Sequence, residues 1–171
     1  MIKSEKKIRE LSETLNNANN IAIKEAVDML REESPFEGAI GLLTEFYDKT
    51  DDISIRKAIA SFMNDLKEQA VCKEIIAEIK KQWKSETISM LVSSCWQSRL
   101  DYSEFSLDIA KVFLTSDYIT AVECLTVIEE SVHELSLKKK REVIQLIENN
   151  PFTLSDEKNT LILELISILN R

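Results

Sequence analysis

Glycine and proline are nearly absent. Gly38 and Gly41 are the only glycines, and Pro35 and Pro151 the only prolines, in 171 residues. These two residue types punctuate strands and turns, so their scarcity excludes a turn-rich β fold. It also excludes a glycine-rich phosphate loop. No run shows sustained period-two alternation. A single histidine, His133, cannot build a four-ligand zinc set with three scattered cysteines. Nothing near it marks a nucleophile, and as a lone histidine at a helix end it reads as a surface residue. Cys72, Cys95 and Cys124 are an odd, widely spaced set. They read as small buried hydrophobes in a reducing compartment, not as a disulfide frame. No stretch reaches the roughly 18 apolar residues of a membrane span, and residues 1–7 lack an apolar signal-peptide core. The neighbouring carboxylates Glu32-Glu33 and Glu129-Glu130 point about 100° apart on a helix and form no acid–base couple by sequence alone. The expectation is a cytoplasmic, non-enzymatic protein with no catalytic residue, cofactor, metal or membrane contact.

Charge is abundant and acidic. Lys and Arg number 22 against 30 Asp and Glu, for a formal charge of −8. That balance favours solubility and a basic partner over nucleic acid.

What is present is a repeat. The stretch from Asp51 to Phe62 recurs 32 positions earlier, from Asn19 to Leu30. Ile53 and Ile55 match Ile21 and Ile23, Arg56 matches Lys24, and Ala58 matches Ala26. Self-similarity at a fixed period marks a solenoid. Small residues at Ala26, Ala58, Val92 and Cys124 carry it onward at spacings of 32, 34 and 32. Leu30, Phe62, Trp96 and Ile128 follow four positions later and are expected in the core. Asn19, Asp51, Ser85 and Asp117 stand where a cap accepts a first-turn N–H. A fifth copy is expected behind Ser155, with Leu161, Leu165 and Leu169 on one side.

Another helix precedes each of these. Its anchors are Ile8, Ile40, Ile75, Ile109 and Val143, spaced by 32, 35, 34 and 34. Three or four residues on come Leu11, Leu43, Ile79, Val112 or Phe113, and Leu146 or Ile147. These spacings place apolar side chains on one helical face. The unit is helix, turn, helix, and each amphipathic pair must stack on a neighbour to cover its apolar face. Pro35 suits the first position of a helix, and Pro151 ends the fifth first-type helix.

The helix pair, the period, the caps and Ile55-Arg56 followed by Ala58 resemble the HEAT-type repeat proteins, a family of α-helical solenoids. The likeness spans nearly the whole chain and is specific in the first two repeats, through Ile23-Lys24 and Ile55-Arg56. Met90 and Val122 replace the basic residue usual in the family, which leaves HEAT and armadillo-like subclasses both open. The resemblance implies one domain over 1–171, with repeats near 1–34, 35–68, 69–102, 103–135 and 136–171. It implies an all-α fold, a right-handed α–α superhelix of about five antiparallel helix pairs. It also implies that the second helices line a concave face.

Helical projection at 100° per residue gives the outward side of those second helices. It holds Glu25, Asp28 and Glu32, then Lys57, Ala60 and Asn64, then Leu91, Ser94 and Ser98, then Glu123, Thr126 and Glu130. The ridge carries five acids, Glu25, Asp28, Glu32, Glu123 and Glu130, against one cation, Lys57. The expected function is a protein-interaction module, an adaptor, inhibitor or scaffold, that takes a basic helix or extended segment. Some HEAT-like proteins are DNA glycosylases with a basic channel, so nucleic-acid binding is the alternative. Phosphate contacts need a Lys/Arg stripe that this ridge lacks.

Three further features are weighed. The basic run Lys138-Lys139-Lys140-Arg141, capped by Ser136, reads as a solvated face balanced by Glu142 and Glu134 in preference to an anion site. Trp83, Tyr102 and Tyr118 read as staples between repeats. On the C-terminal helix the apolar arc is about 220° wide, beyond the roughly 100° one core contact requires. Its excess, around Ile162, Leu163 and Ile166, is expected at the surface as a homodimer or partner contact. The alternative is that the loop 151–154 covers it.

Overall fold

The computed structural model describes residues 4–33, 36–150 and 156–170. The described residues form ten α-helices: α1 Glu5–Asn17, α2 Asn20–Glu32, α3 Ala39–Lys49, α4 Ile53–Asn64, α5 Cys72–Ile79, α6 Ser85–Gln97, α7 Ser106–Thr115, α8 Tyr118–Ser131, α9 Leu137–Glu148 and α10 Asp156–Leu169. Two short 3₁₀ turns, Gln69–Val71 and Ser103–Phe105, lead into α5 and α7. No strand occurs among the described residues. The roles expected of Pro35, Pro151, Ser155 and the 151–154 loop fall outside the described residues.

The chain divides into two compact units, Met1–Leu100 and Asp101–Arg171. In the first, α1, α3 and α5 pack in sequence as one row and α2, α4 and α6 as another, with α1 on α2, α3 on α4 and α5 on α6. In the second, α7 packs on α8 and α9, and α10 packs on α8 and α9.

Some helix starts have a local cause. Asn19 accepts from the N–H of Ile21 and Ala22, Asp117 from Thr120, and Ser136 from Lys139. These side chains occupy N–H groups that no helical carbonyl can reach. The α4 cap is Asp52 and not Asp51. Its extended backbone, φ −73° and ψ 109°, aims Oδ1 at the N–H of Ser54 and Ile55. Ser85 is not a cap either. It is the first residue of α6, and the cap position belongs to Lys84. Asp48, from the end of α3, supplies the acceptor instead, taking the Lys84 N–H at 2.9 Å and the Thr87 hydroxyl at 2.7 Å. The start of α3 is served in the same way by Glu74 of α5, whose Oε1 accepts from the Gly38 N–H at 2.9 Å. Gly38 has φ +93°, where a side chain is strained, and an added Cβ would come within 2.8 Å of Ile8 Cδ1.

The expected anchors Ile40, Ile75, Ile109 and Val143 are buried, together with Leu11, Leu43, Ile79, Phe113 and Ile147. Ile8 is half-buried. All three cysteines are buried, and none is in a disulfide. Burial pushes the Cys124 thiol well above its usual range.

The third second-type helix departs from the expected register. Buried positions run Ile23, Ile55, Thr87 and Val27, Ile59, Leu91, a constant step of 32. Leu91, Ser94 and Ser98, expected outside, are buried, whereas Trp96, expected in the core, is 37% exposed. The spacing of 34 that aligned Val92 with Ala58 follows residue size. On α2 and α4 burial follows the bulkier neighbours, since Val27 and Ile59 are fully buried while Ala26 and Ala58 are half-buried; on α6 Leu91 and Val92 are both fully buried. The longer step, 35, falls between the first-type anchors Ile40 and Ile75, ahead of the eight-residue α5.

Candidate functional site

On an α-helix, residues i, i+4, i+7, i+8 and i+11 share one face. From Ile21 this face of α2 holds Ile21, Glu25, Asp28, Met29 and Glu32, and all five are exposed. Thirty-two residues on, α4 presents Ile53, Lys57, Ala60, Ser61 and Asn64. The corresponding line on α6 is Ser85, Ser89, Ser93 and Trp96, interrupted by Val92, which is fully buried. It replaces the expected Leu91, Ser94 and Ser98. Ile21 and Ile53 are each 70% exposed and Met29 64%, so the face carries large apolar groups beside its acids.

Polar bonds tie the three helices edge to edge. Asn20 Nδ2 donates to Asp52 Oδ2 at 2.6 Å, and Asn64 Nδ2 to Gln97 Oε1 at 2.9 Å. Arg31 pairs with Asp65, donates to Ser61 Oγ at 2.9 Å, and lies 3.5 Å from Asp28. Arg56 reaches Glu86 at 2.7 Å and lies 4.5 Å over the Tyr47 ring. The Glu86 bond, working against burial, and Tyr47 raise its pKa further above the ordinary guanidinium value. Arg56 is thus committed to packing. Glu25, Glu32 and Lys57 form no ion pair among the described residues.

The remaining expected positions lie on α8, in the other unit. Glu130 is exposed, Glu123 and Thr126 are half-buried, and Thr126 Oγ1 donates to the Val122 carbonyl. Tyr118, Ile119 and Val122 are exposed on the same helix. Tyr118 is therefore no staple, while Tyr102 is buried, with its ring 6.4 Å from that of Phe105. Trp83 is half-buried, with Lys81 Nζ 5.8 Å from its ring. On α10 Ile162 is buried, contrary to expectation, because α8 and α9 both pack on this helix. Leu163 is 70% exposed and Ile166 half-buried. In the basic run, Lys138 lies 3.8 Å from Glu142 and Lys139 donates to the Ser103 carbonyl at 3.4 Å. His133 is exposed.

Sequence reasoning missed three features. The first is a cavity of about 370 Å³ where α2 and α4 end. Leu30, Phe36, Ala39, Ile40, Phe62 and Leu66 give it apolar walls, and charged residues of 31–33 and 65–68 rim it. The second is the pair Glu74 and Glu78 on α5, each with a buried Oε2 that has no hydrogen-bond partner among the described residues. The third is Lys158, buried on α10, which donates to the carbonyls of Phe113 at 3.0 Å, Leu114 at 3.4 Å and Ser116. Burial pushes its ammonium below the usual range. Among the described residues no three His, Cys, Asp or Glu side chains gather to hold a metal, and no helix is long and apolar enough to cross a membrane.

Compared with models of known protein families, with curated proteins and with solved structures, the chain matches none.

Proposed function

We propose that the chain is a non-catalytic protein-interaction module of HEAT type, its helix pairs continuing as one right-handed superhelix, and that it works in the cytoplasm as an adaptor, inhibitor or scaffold. Its partner is a basic amphipathic segment that lies on the α2–α4–α6 face. The observation that carries this reading is the mixed outward face of α2, where Ile21 and Met29 stand exposed among Glu25, Asp28 and Glu32. Apolar groups give a partner area to bury, and the carboxylates select lysine and arginine beside them. Lys57 and the neutral Ser61 and Asn64 of α4 leave α2 the acidic edge. Nucleic acid fits poorly, since one cation among these acids cannot neutralise a phosphate backbone. Homodimerisation through α10 now rests on Leu163 and the flank of Ile166, and light scattering at high concentration reads it directly.

The test uses a fluorescent amphipathic Lys/Leu helix as the probe. Reversing Glu25, Asp28 and Glu32 together to lysine is expected to weaken binding by at least about tenfold. Binding to the unaltered protein should also weaken as salt rises, because exposed charges are screened over about 8 Å at physiological ionic strength. Undiminished binding by the triple variant sinks the reading.

A further inference from the structure

The cavity at the ends of α2 and α4 has the construction of a ligand site. At about 370 Å³ it falls within the size range of small-molecule pockets. A cavity of roughly 150 Å³ holds one benzene ring, so this one has room for a ring and a short chain. Its walls, Leu30, Phe36, Ala39, Ile40, Phe62 and Leu66, offer no hydrogen-bonding side chain. The ligand's body is therefore apolar.

The rim decides the head group. Six charged residues line it: Arg31, Glu32, Glu33, Asp65, Lys67 and Glu68. Arg31 is consumed by Asp65 and Asp28, and Glu33 by Lys7 at 2.7 Å. Glu32, Glu68 and Lys67 remain without an ion pair among the described residues, two acids against one base. The C-terminal ends of α2 and α4 both meet here, and each carries partial negative charge that favours a cation. The N-terminal end of α3 would favour an anion, but Glu74 already occupies its Gly38 N–H.

We propose that this pocket binds an apolar group bearing a cation, an aryl- or alkyl-ammonium. The same chemistry reaches it as a free amine or as a phenylalanine flanked by lysines in a protein segment. The site lies at the helix ends, shares only Glu32 with the α2–α4–α6 face, and does not depend on the partner proposed there.

The experiment is an amide chemical-shift titration of the full chain. One arm uses 4-phenylbutylammonium, with the isosteric 4-phenylbutanol and 4-phenylbutyrate as comparisons. The other uses a blocked Lys-Phe-Lys peptide and its Phe→Ala version. Saturable shifts at Ala39, Ile40, Phe62 and Leu66 are expected. The ammonium should bind at least about tenfold tighter than the carboxylate. Tighter binding of the free ammonium than of the peptide assigns a small-molecule site, and the reverse order assigns a protein segment. Ala39→Phe, which fills the cavity, should abolish the shifts. Glu68→Lys lies on an exposed loop away from the α2–α4–α6 face, so it leaves the fold and that face intact. It should narrow the preference for ammonium over carboxylate by at least about threefold. The proposal is overturned if neither probe gives saturable shifts at these residues. Equal affinity for ammonium and carboxylate, or a preference unmoved by Glu68→Lys, overturns it as well.

Discussion

The Asp48 carboxylate and the Thr87 hydroxyl, on helices α3 and α6, lie 2.7 Å apart. With the Lys84 N–H on the same oxygen, one acid from the end of one helix closes the start of another. Burial works to raise the Asp48 pKa. The Thr87 hydroxyl, the Lys84 N–H and the charges of Lys84 and Arg56 outweigh it and hold the carboxyl below its ordinary 3.8. A lowered folded value means stabilisation that is present above the unfolded value and lost as pH falls through the folded one. Asp48→Ala should cost about 1–3 kcal/mol at pH 7, and the cost should shrink below pH 4. Urea unfolding at the two pH values checks both; an unchanged midpoint at neutral pH would remove the cap from the account.

Glu74 runs the other way. Burial raises its pKa above 4.5, the Gly38 N–H opposes the rise, and the charges of Glu37 and Glu78 add to it. The folded protein then holds a proton that the unfolded chain releases, so stability falls as pH rises from 4.5 through the folded value. Glu74→Gln should raise the melting midpoint at pH 7 and abolish the gain that the parent shows on acidification toward pH 5. A lower midpoint at neutral pH would mean that the charged acceptor at Gly38 matters more than its desolvation.

The register of α6 is open to a paired test. Leu91 is fully buried and Trp96 is 37% exposed. Leu91→Ala should cost about 2–5 kcal/mol, and Trp96→Ala less than half as much. The opposite order would restore the tryptophan to the core.

Lys158 should behave as a structural group. Its ammonium closes the last carbonyls of α7, where the helix dipole favours a cation. Lys158→Met keeps the apolar stem and removes the donors, leaving buried carbonyls unpaired. The expected loss is about 1–3 kcal/mol, read by urea unfolding. Hydrogen exchange should quicken at the C-terminal end of α7 before it quickens elsewhere.

Much of the fold was legible because its causes are local. The anchors Ile40, Ile75, Ile109 and Val143 announce themselves by helical spacing, and Asn19, Asp117 and Ser136 by the N–H groups they reach within one turn. The outward face of α2 and α4 was legible too, since Glu25, Asp28, Glu32 and Lys57 sit opposite an apolar stripe that helical projection resolves.

The sequence alone therefore determined an all-helical chain, its helix pairs and the acidic side of α2. Tertiary structure decided the rest. Helical projection put Leu91 outside and Trp96 in the core; packing against α4 and α5 buries Leu91 together with its neighbour Val92 and turns Trp96 out. Asp48 caps a helix 36 residues away, Glu74 another 36 away, and Lys158 closes one 45 away. No local pattern encodes such pairs, because charged side chains that are ordinary in sequence acquire these roles only when folding brings distant helix ends beside them.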